Sequence, residues 1–269
     1  MPLDNGDPAV LDADQETRIV DAILSAFAAR PPTIGLIGVS GTGKSSTINS
    51  MFRTDLPTSH VVACTKEFRD SDLRIDVKSG HAAGRDATLR VVDAPGLGED
   101  VALDPAYLRM YAEHLERCDV ILWVVAARNR AMALDQMYLD RLRAFAPRMV
   151  FGINQVDLVA PLDWETSTNL PSVGQERNIA TIVADRRARI ESVLDRSVTV
   201  VPYSAEHKWQ LQELFTSLID AAPQERSWMF DALKAFRHDD FLPEGVRAEI
   251  AAILDRRAET PKRRGLFGR

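Results

Sequence analysis

Apolar residues recur along the chain in two distinct periods. Ile19, Val20, Ile23, Leu24 and Phe27 fall at helical spacing and predict an amphipathic helix over 15–29, ended by Pro31-Pro32. An apolar run over 33–37 reads as a buried strand, and 46–52 as the start of a helix. Residues 73–77 alternate, and 87–92 return after a turn at 79–84, which predicts a hairpin. Asp104-Pro105 has the form of a helix start, with the helix running to about Arg117. The unbroken apolar run 120–125 is what a strand covered on both faces requires. A helix near 132–145, a strand at 149–153, a polar loop over 158–174, a charged helix at 176–195 and a strand at 198–201 follow. Leu211, Leu214, Phe215, Leu218 and Ile219 then form a helical stripe.

Strands alternating with helices predict an α/β fold, a doubly wound and mostly parallel sheet with helices on both faces, its ligand at the strands' carboxyl ends. The expected division is an N-terminal extension with its helix (1–32), a main domain (33–222), a helical appendage (223–258) and a basic tail (259–269). Met229, Ala232, Leu233 and Phe236 line one appended helix; Val246, Ile250, Ile253 and Leu254 line the other.

Composition narrows the function classes. A net charge of −6 argues against a general nucleic-acid binder. The two cysteines, Cys64 and Cys118, have no metal-ligand spacing and make no disulfide framework, so a reduced cytoplasmic setting is expected. The start of the chain is acidic and polar, so no signal peptide is expected, and no apolar run approaches the ~20 residues of a membrane span.

The chemistry begins at Gly38-Val39-Ser40-Gly41-Thr42-Gly43-Lys44-Ser45, which fits the pattern G-x-x-x-x-G-K-[ST] between an expected strand and an expected helix. Glycines let successive N–H groups turn toward one anion, and the helix N-terminus adds partial positive charge. Lys44 would reach the β- and γ-phosphates of a nucleotide, and the Ser45 hydroxyl would hold Mg²⁺. Three further signals follow in order, each just after an expected strand: Asp93-Ala94-Pro95-Gly96, Asn154-Gln155-Val156-Asp157 and Ser204-Ala205. The Asp157 carboxylate could accept two parallel hydrogen bonds from the N1–H and 2-amino group of guanine; adenine offers neither and would leave it unpaired.

With these four motifs, residues 33–222 resemble the translation-factor-related P-loop GTPases, within them the Era-like and septin-like bacterial branch. The resemblance implies a small-GTPase-like domain that hydrolyses GTP to GDP with Mg²⁺ and acts as a conformational switch. It implies phosphate and nucleotide contacts from Gly38, Ser40, Gly41, Thr42, Gly43, Lys44, Ser45 and Ser46, and base contacts from Asn154, Gln155, Asp157, Ser204 and Ala205. Asp93 would bind Mg²⁺ through water, Gly96 would touch the γ-phosphate, and a switch threonine would complete the metal site. Thr65 is the choice for that threonine and Thr58 the alternative. Lys44, Thr65 and Gly96 form the implied catalytic set.

Two departures stand out. Gln155 replaces the lysine usual to the family, and Leu97 occupies the position where Ras-type enzymes hold a water-orienting glutamine. Slow turnover, or turnover stimulated by a dimer or a protein activator, is therefore expected; the competing readings are a nucleotide-dependent binding module with negligible hydrolysis and an Era-like RNA- or ribosome-associated factor. Arg128 and Arg130 are candidate arginine fingers, with solvated surface arginines the plainer reading. Trp164 either shields the base or packs its loop. Cys64 is read as an inert small side chain. The basic tail, with Leu266 and Phe267, is read as solvated, with contact to an anionic membrane surface or RNA as the alternative.

Overall fold

In a computed structural model the described residues are 12–52, 68–76, 86–97, 105–129, 132–227 and 229–230. The elements run α1 (Ala13–Ala29), β1 (Thr33–Ile37), α2 (Lys44–Phe52), β2 (Arg69–Asp76), β3 (Asp86–Asp93), α3 (Pro105–Glu116), β4 (Val120–Ala126), α4 (Ala133–Arg141), β5 (Met149–Asn154), α5 (Val173–Leu194), β6 (Val200–Pro202) and α6 (Leu211–Asp220). Six strands form one sheet in the order β2-β3-β1-β4-β5-β6, parallel throughout except for the antiparallel β2–β3 pair. The expected doubly wound, mostly parallel sheet is therefore what the chain forms.

Alternation along the strands divides the core in two. Ile34, Leu36, Val120, Leu122 and Val124 face Phe27 of α1, Ile48 and Met51 of α2, and the α6 stripe. Ile37, Ile121, Trp123 and Val125 face Tyr111 of α3, Tyr138 and Leu139 of α4, and Ile179 and Ile190 of α5. A continuous apolar strand serves both layers because successive side chains point to opposite faces. Met229 and Phe230 join the first of these cores, so the chain just after α6 packs onto the sheet domain.

Three element boundaries differ from the sequence-based reading. β2 begins at Arg69, although 69–72 is polar. It is an edge strand, and Asp72 lies opposite Arg90, which donates to it from Nε at 2.7 Å and Nη2 at 2.8 Å. That pairing holds the Asp72 carboxyl below the usual range. α4 stops at Arg141 and continues as a 3₁₀ segment over Arg143–Arg148. Pro147 there lacks an N–H and its ring would clash with a preceding helical carbonyl. α5 starts at Val173 because the Ser172 side chain accepts from the Gln175 N–H at 3.1 Å, an N-cap the periodicity did not reveal.

At the strands' amino ends, buried Asp119 gathers several donors. It accepts from the Thr33 N–H at 2.9 Å, from Arg226 Nη2 at 3.0 Å and from Arg30 Nη2 at 3.4 Å. Arg226 also reaches the carbonyls of Arg30 and Pro31 at 2.9 and 3.1 Å. The end of α1 and the segment after α6 are thus latched to the start of β1 and β4. Asp119→Ala strands a mostly buried guanidinium and a buried N–H, and is expected to cost about 3 kcal/mol in urea unfolding at unchanged m-value.

Candidate functional site

The loop between β1 and α2 is shaped by backbone that only glycine adopts freely. Gly38 has φ +146° and Gly43 φ +88°. A Cβ at Gly38 would lie 2.2 Å from the Val124 carbonyl oxygen, and one at Gly43 would lie 2.4 Å from Asn154 Nδ2. The loop therefore lies hard against the ends of β4 and β5. Lys44, only 7% exposed, folds over it, donating to the Gly38 carbonyl at 3.0 Å and the Val39 carbonyl at 3.4 Å. Thr42 Oγ1 closes the loop onto the Val39 carbonyl at 2.9 Å. Ser40 and Gly41 are exposed at its tip, and Ser46 lies half-buried in the first turn of α2.

The second motif leaves the end of β3. Ser45 Oγ donates to Asp93 Oδ2 at 2.8 Å, which puts a hydroxyl and a buried carboxylate side by side at the start of α2. The chain then runs along the loop: the Ala94 N–H reaches the Leu36 carbonyl at 3.1 Å, and the Leu97 N–H reaches the Gly38 carbonyl at 3.0 Å. Gly96 is buried in this stretch, and Tyr111 Oη donates to the Pro95 carbonyl. Leu97 is fully buried in the second core, so its side chain takes no part in the site's polar chemistry.

The third and fourth motifs meet on one side chain. Asn154, 2% exposed, donates from Nδ2 to the Thr42 carbonyl at 3.0 Å and accepts on Oδ1 from the Ala205 N–H at 3.1 Å. Gln155, left-handed at φ +64°, donates to the Gly41 carbonyl at 3.1 Å. Asp157 sits half-buried in the 3₁₀ turn Val156–Leu158, and Gln175 of α5 holds that turn by donating to the Asp157 and Val159 carbonyls, each at 3.0 Å. Ser204 is buried with its hydroxyl turned into its own loop, accepting from the His207 N–H at 3.0 Å.

Four separate stretches of sequence thus converge at the carboxyl ends of β1, β3, β5 and β6. Thr65, its alternative Thr58, Cys64 and Arg130 lie outside the described residues. Arg128 is exposed beyond β4, on the rim of a groove of about 650 Å³ floored by Arg186 of α5. Cys118 is buried, its thiol pushed up to about 12 by desolvation, and is chemically inert.

Sequence reasoning missed Thr47 and Tyr203. Thr47 Oγ1 bonds the Gly43 carbonyl at 2.7 Å and Tyr203 Oη at 2.8 Å, tying α2 to the end of β6. Burial pushes the Tyr203 phenol up, so it stays neutral. Neither residue belongs to a motif. Only the position of Tyr203 at a strand end could have drawn attention to it.

Residues 33–155 match the family model described as "50S ribosome-binding GTPase". Among curated proteins it is similar to YfjP of Escherichia coli (strain K12), at 31% identity over 73% of this chain and 64% of that protein. It is also similar to GTPase Der of Buchnera aphidicola, at 27% identity over 46% of this chain and 26% of Der. The chain spans less than two thirds of the length of either relative. In fold it resembles the crystal structure of Aquifex aeolicus Era bound to GDP and aluminium fluoride, with a TM-score of 0.52 at 18% identity over 71% of this chain and 57% of that one.

Asn154→Ala removes both the Thr42 and the Ala205 bonds from a buried position. It is expected to cost about 2 kcal/mol and to speed amide exchange selectively at 41–44 and 204–206, as read by hydrogen-exchange mass spectrometry.

Proposed function

We infer that this chain binds GTP and hydrolyses it slowly to GDP and phosphate with Mg²⁺, the two nucleotide states setting different conformations of the flanking loops. The observation that carries this reading is the convergence on Asn154, which stands three residues before the candidate guanine carboxylate Asp157 and whose amide joins the glycine loop at Thr42 to the turn bearing Ala205.

Loop N–H groups over 38–45 and the Lys44 ammonium would cradle the phosphates, Lys44 exchanging its bonds to Gly38 and Val39 for phosphate oxygens. Asp157 would accept from guanine N1–H and the 2-amino group, with Ala205, whose N–H is held by Asn154 Oδ1, lining the base pocket. Gln155, which bonds the loop at Gly41, would cover the base with less surface than a lysine stem. The donor set at Ser45 and Asp93 fits Mg²⁺: a hydroxyl and a carboxylate 2.8 Å apart are hard oxygen ligands of the kind that ion prefers. Ser45 would hold it directly and Asp93 through water, and its charge would offset that on the β- and γ-oxygens. In the reaction a water oxygen bonds to the γ-phosphorus while the bond to the β–γ bridging oxygen breaks. Gly96 would donate its N–H to the γ-phosphate and lose that contact on hydrolysis, which is the basis of the switch.

Leu97 favours a second reading. Buried in the core, it cannot orient the attacking water, so a binding module whose hydrolysis awaits a partner or a second copy is the alternative. The expected turnover of the chain alone is of order 10⁻³ s⁻¹ or below, the range of unassisted GTPases. Phosphate release measured against protein concentration separates the two. A measurable rate that vanishes in Lys44→Ala supports the enzyme, a rate that rises with concentration adds self-association, and a rate equal to the Lys44→Ala blank throughout supports the module. Asp157→Asn is expected to weaken GDP binding at least roughly a hundredfold and to favour xanthosine diphosphate, whose position-2 oxygen accepts from the new amide. Unchanged GDP affinity in competition binding contradicts the assignment of Asp157.

A further inference from the structure

Two short turns face each other beside the Asp157–Ala205 side of the site. One is closed by paired Glu165 and Leu170, whose backbone groups exchange hydrogen bonds of 2.9 and 3.2 Å. The other is closed by paired Ser204 and Trp209, with two bonds of 3.1 Å. The first turn lies on the segment that leaves Asp157, and the second carries Ala205. Asn169, left-handed at φ +55°, staples them, donating from Nδ2 to the His207 carbonyl at 2.9 Å. Its Oδ1 accepts from Trp164 Nε1 at 3.3 Å. The Trp164 ring stacks on His207 at 4.8 Å between centroids and 25° between planes, and meets Trp209 edge-on at 5.7 Å.

The turn bearing Ala205 is therefore held twice. Asn154 holds it from inside the domain, and the Trp164–Asn169 pair holds it from outside. Asn154, three residues before Asp157, ties the roots of both arms to the phosphate loop, and the outer tether joins them again farther along. The Asp157 arm is fixed at its other end by α5. Gln175 bonds the Asp157 and Val159 carbonyls, and Ser172 Oγ donates to Asp163 Oδ1 at 2.7 Å. A side chain that accepts two parallel bonds discriminates only when its partner across the base is held still.

We propose that Trp164 and Asn169 are positioning residues for the guanine base, fixing the Ala205 arm against the Asp157 arm so that the pocket exists before nucleotide arrives. This rests on the GTP-binding reading above. Trp164 and Asn169 bond and stack between the two turns on the base side of the site, so the pair acts on base affinity and selectivity and leaves the chemical step alone. Pre-organisation of this kind lowers the dissociation rate more than it raises the association rate.

The test uses the full chain and a fluorescent GDP analogue, displaced by GDP or by inosine diphosphate, which lacks the 2-amino group. Asn169→Gly removes the amide while keeping backbone that tolerates φ > 0. Trp164→Ala removes the stack, and Trp164→Phe keeps a ring over His207. Trp164→Ala and Asn169→Gly are expected to raise the dissociation rate roughly tenfold, the scale of one or two lost hydrogen bonds and contacts. Both should shrink the preference for GDP over inosine diphosphate, raise KM for GTP and leave kcat unchanged, with Trp164→Phe closer to the unaltered chain. Dissociation rates and base preference equal to those of the unaltered chain in both variants overturn the proposal. Should the unaltered chain itself fail to hold the GDP analogue, the guanine reading falls and this inference falls with it. If the unaltered chain binds and the variants match it, the positioning role alone falls.

Discussion

The arrangement depends on one buried amide. Asn154 stands at the end of β5 and offers a donor and an acceptor in opposite directions, to the Thr42 carbonyl and the Ala205 N–H. Both partners are backbone groups that would otherwise be buried without a mate, so the geometry is over-determined. Shortening the side chain strands both groups, and a carboxylate at the same place offers no donor for the Thr42 carbonyl. The contact is also why Gly43 must be glycine, since a Cβ there would meet the Asn154 amide at 2.4 Å.

The two ends of the sheet do different work. At the amino ends Asp119 satisfies donors from β1, α1 and the segment after α6, which anchors the terminal pieces of the described chain. At the carboxyl ends the polar groups are arranged around the glycine loop 38–45. Parallel strands make this division possible, because every connection after a strand emerges at the same edge and brings its motif with it. Trp123, buried under that edge, donates to Asp135 Oδ1 at 3.0 Å. Burial raises the Asp135 carboxyl, so even the polar groups beneath the site are held in a largely dry interior.

What the sequence made legible was what a short local pattern can encode. The glycine loop, Asp93, Asn154 and Asp157 each sit at a strand end that apolar periodicity locates, and the unbroken run 120–125 announced a strand buried on both faces. What it hid were contacts between segments far apart in the chain. Nothing local links Thr47 to Tyr203, or Asn169 to His207, and each is a pair that exists only once β6 lies beside β5. The polar start of β2 escaped for a related reason: Asp72 is stabilised in a strand by Arg90 on the neighbouring one. Ser172 was the exception, a local cap overlooked because the helix behind it is too charged to show where its periodicity begins.

The central claim is that these joined loops form one guanine-selective nucleotide site. Calorimetric titration of the full chain with GDP and with ADP, in the presence of Mg²⁺, tests it most directly. The account predicts one GDP bound per chain and ADP weaker by at least about a hundredfold, the margin left when the Asp157 carboxylate meets no donors from the base. Equal heats and affinities for the two nucleotides, or no binding of either, would contradict it.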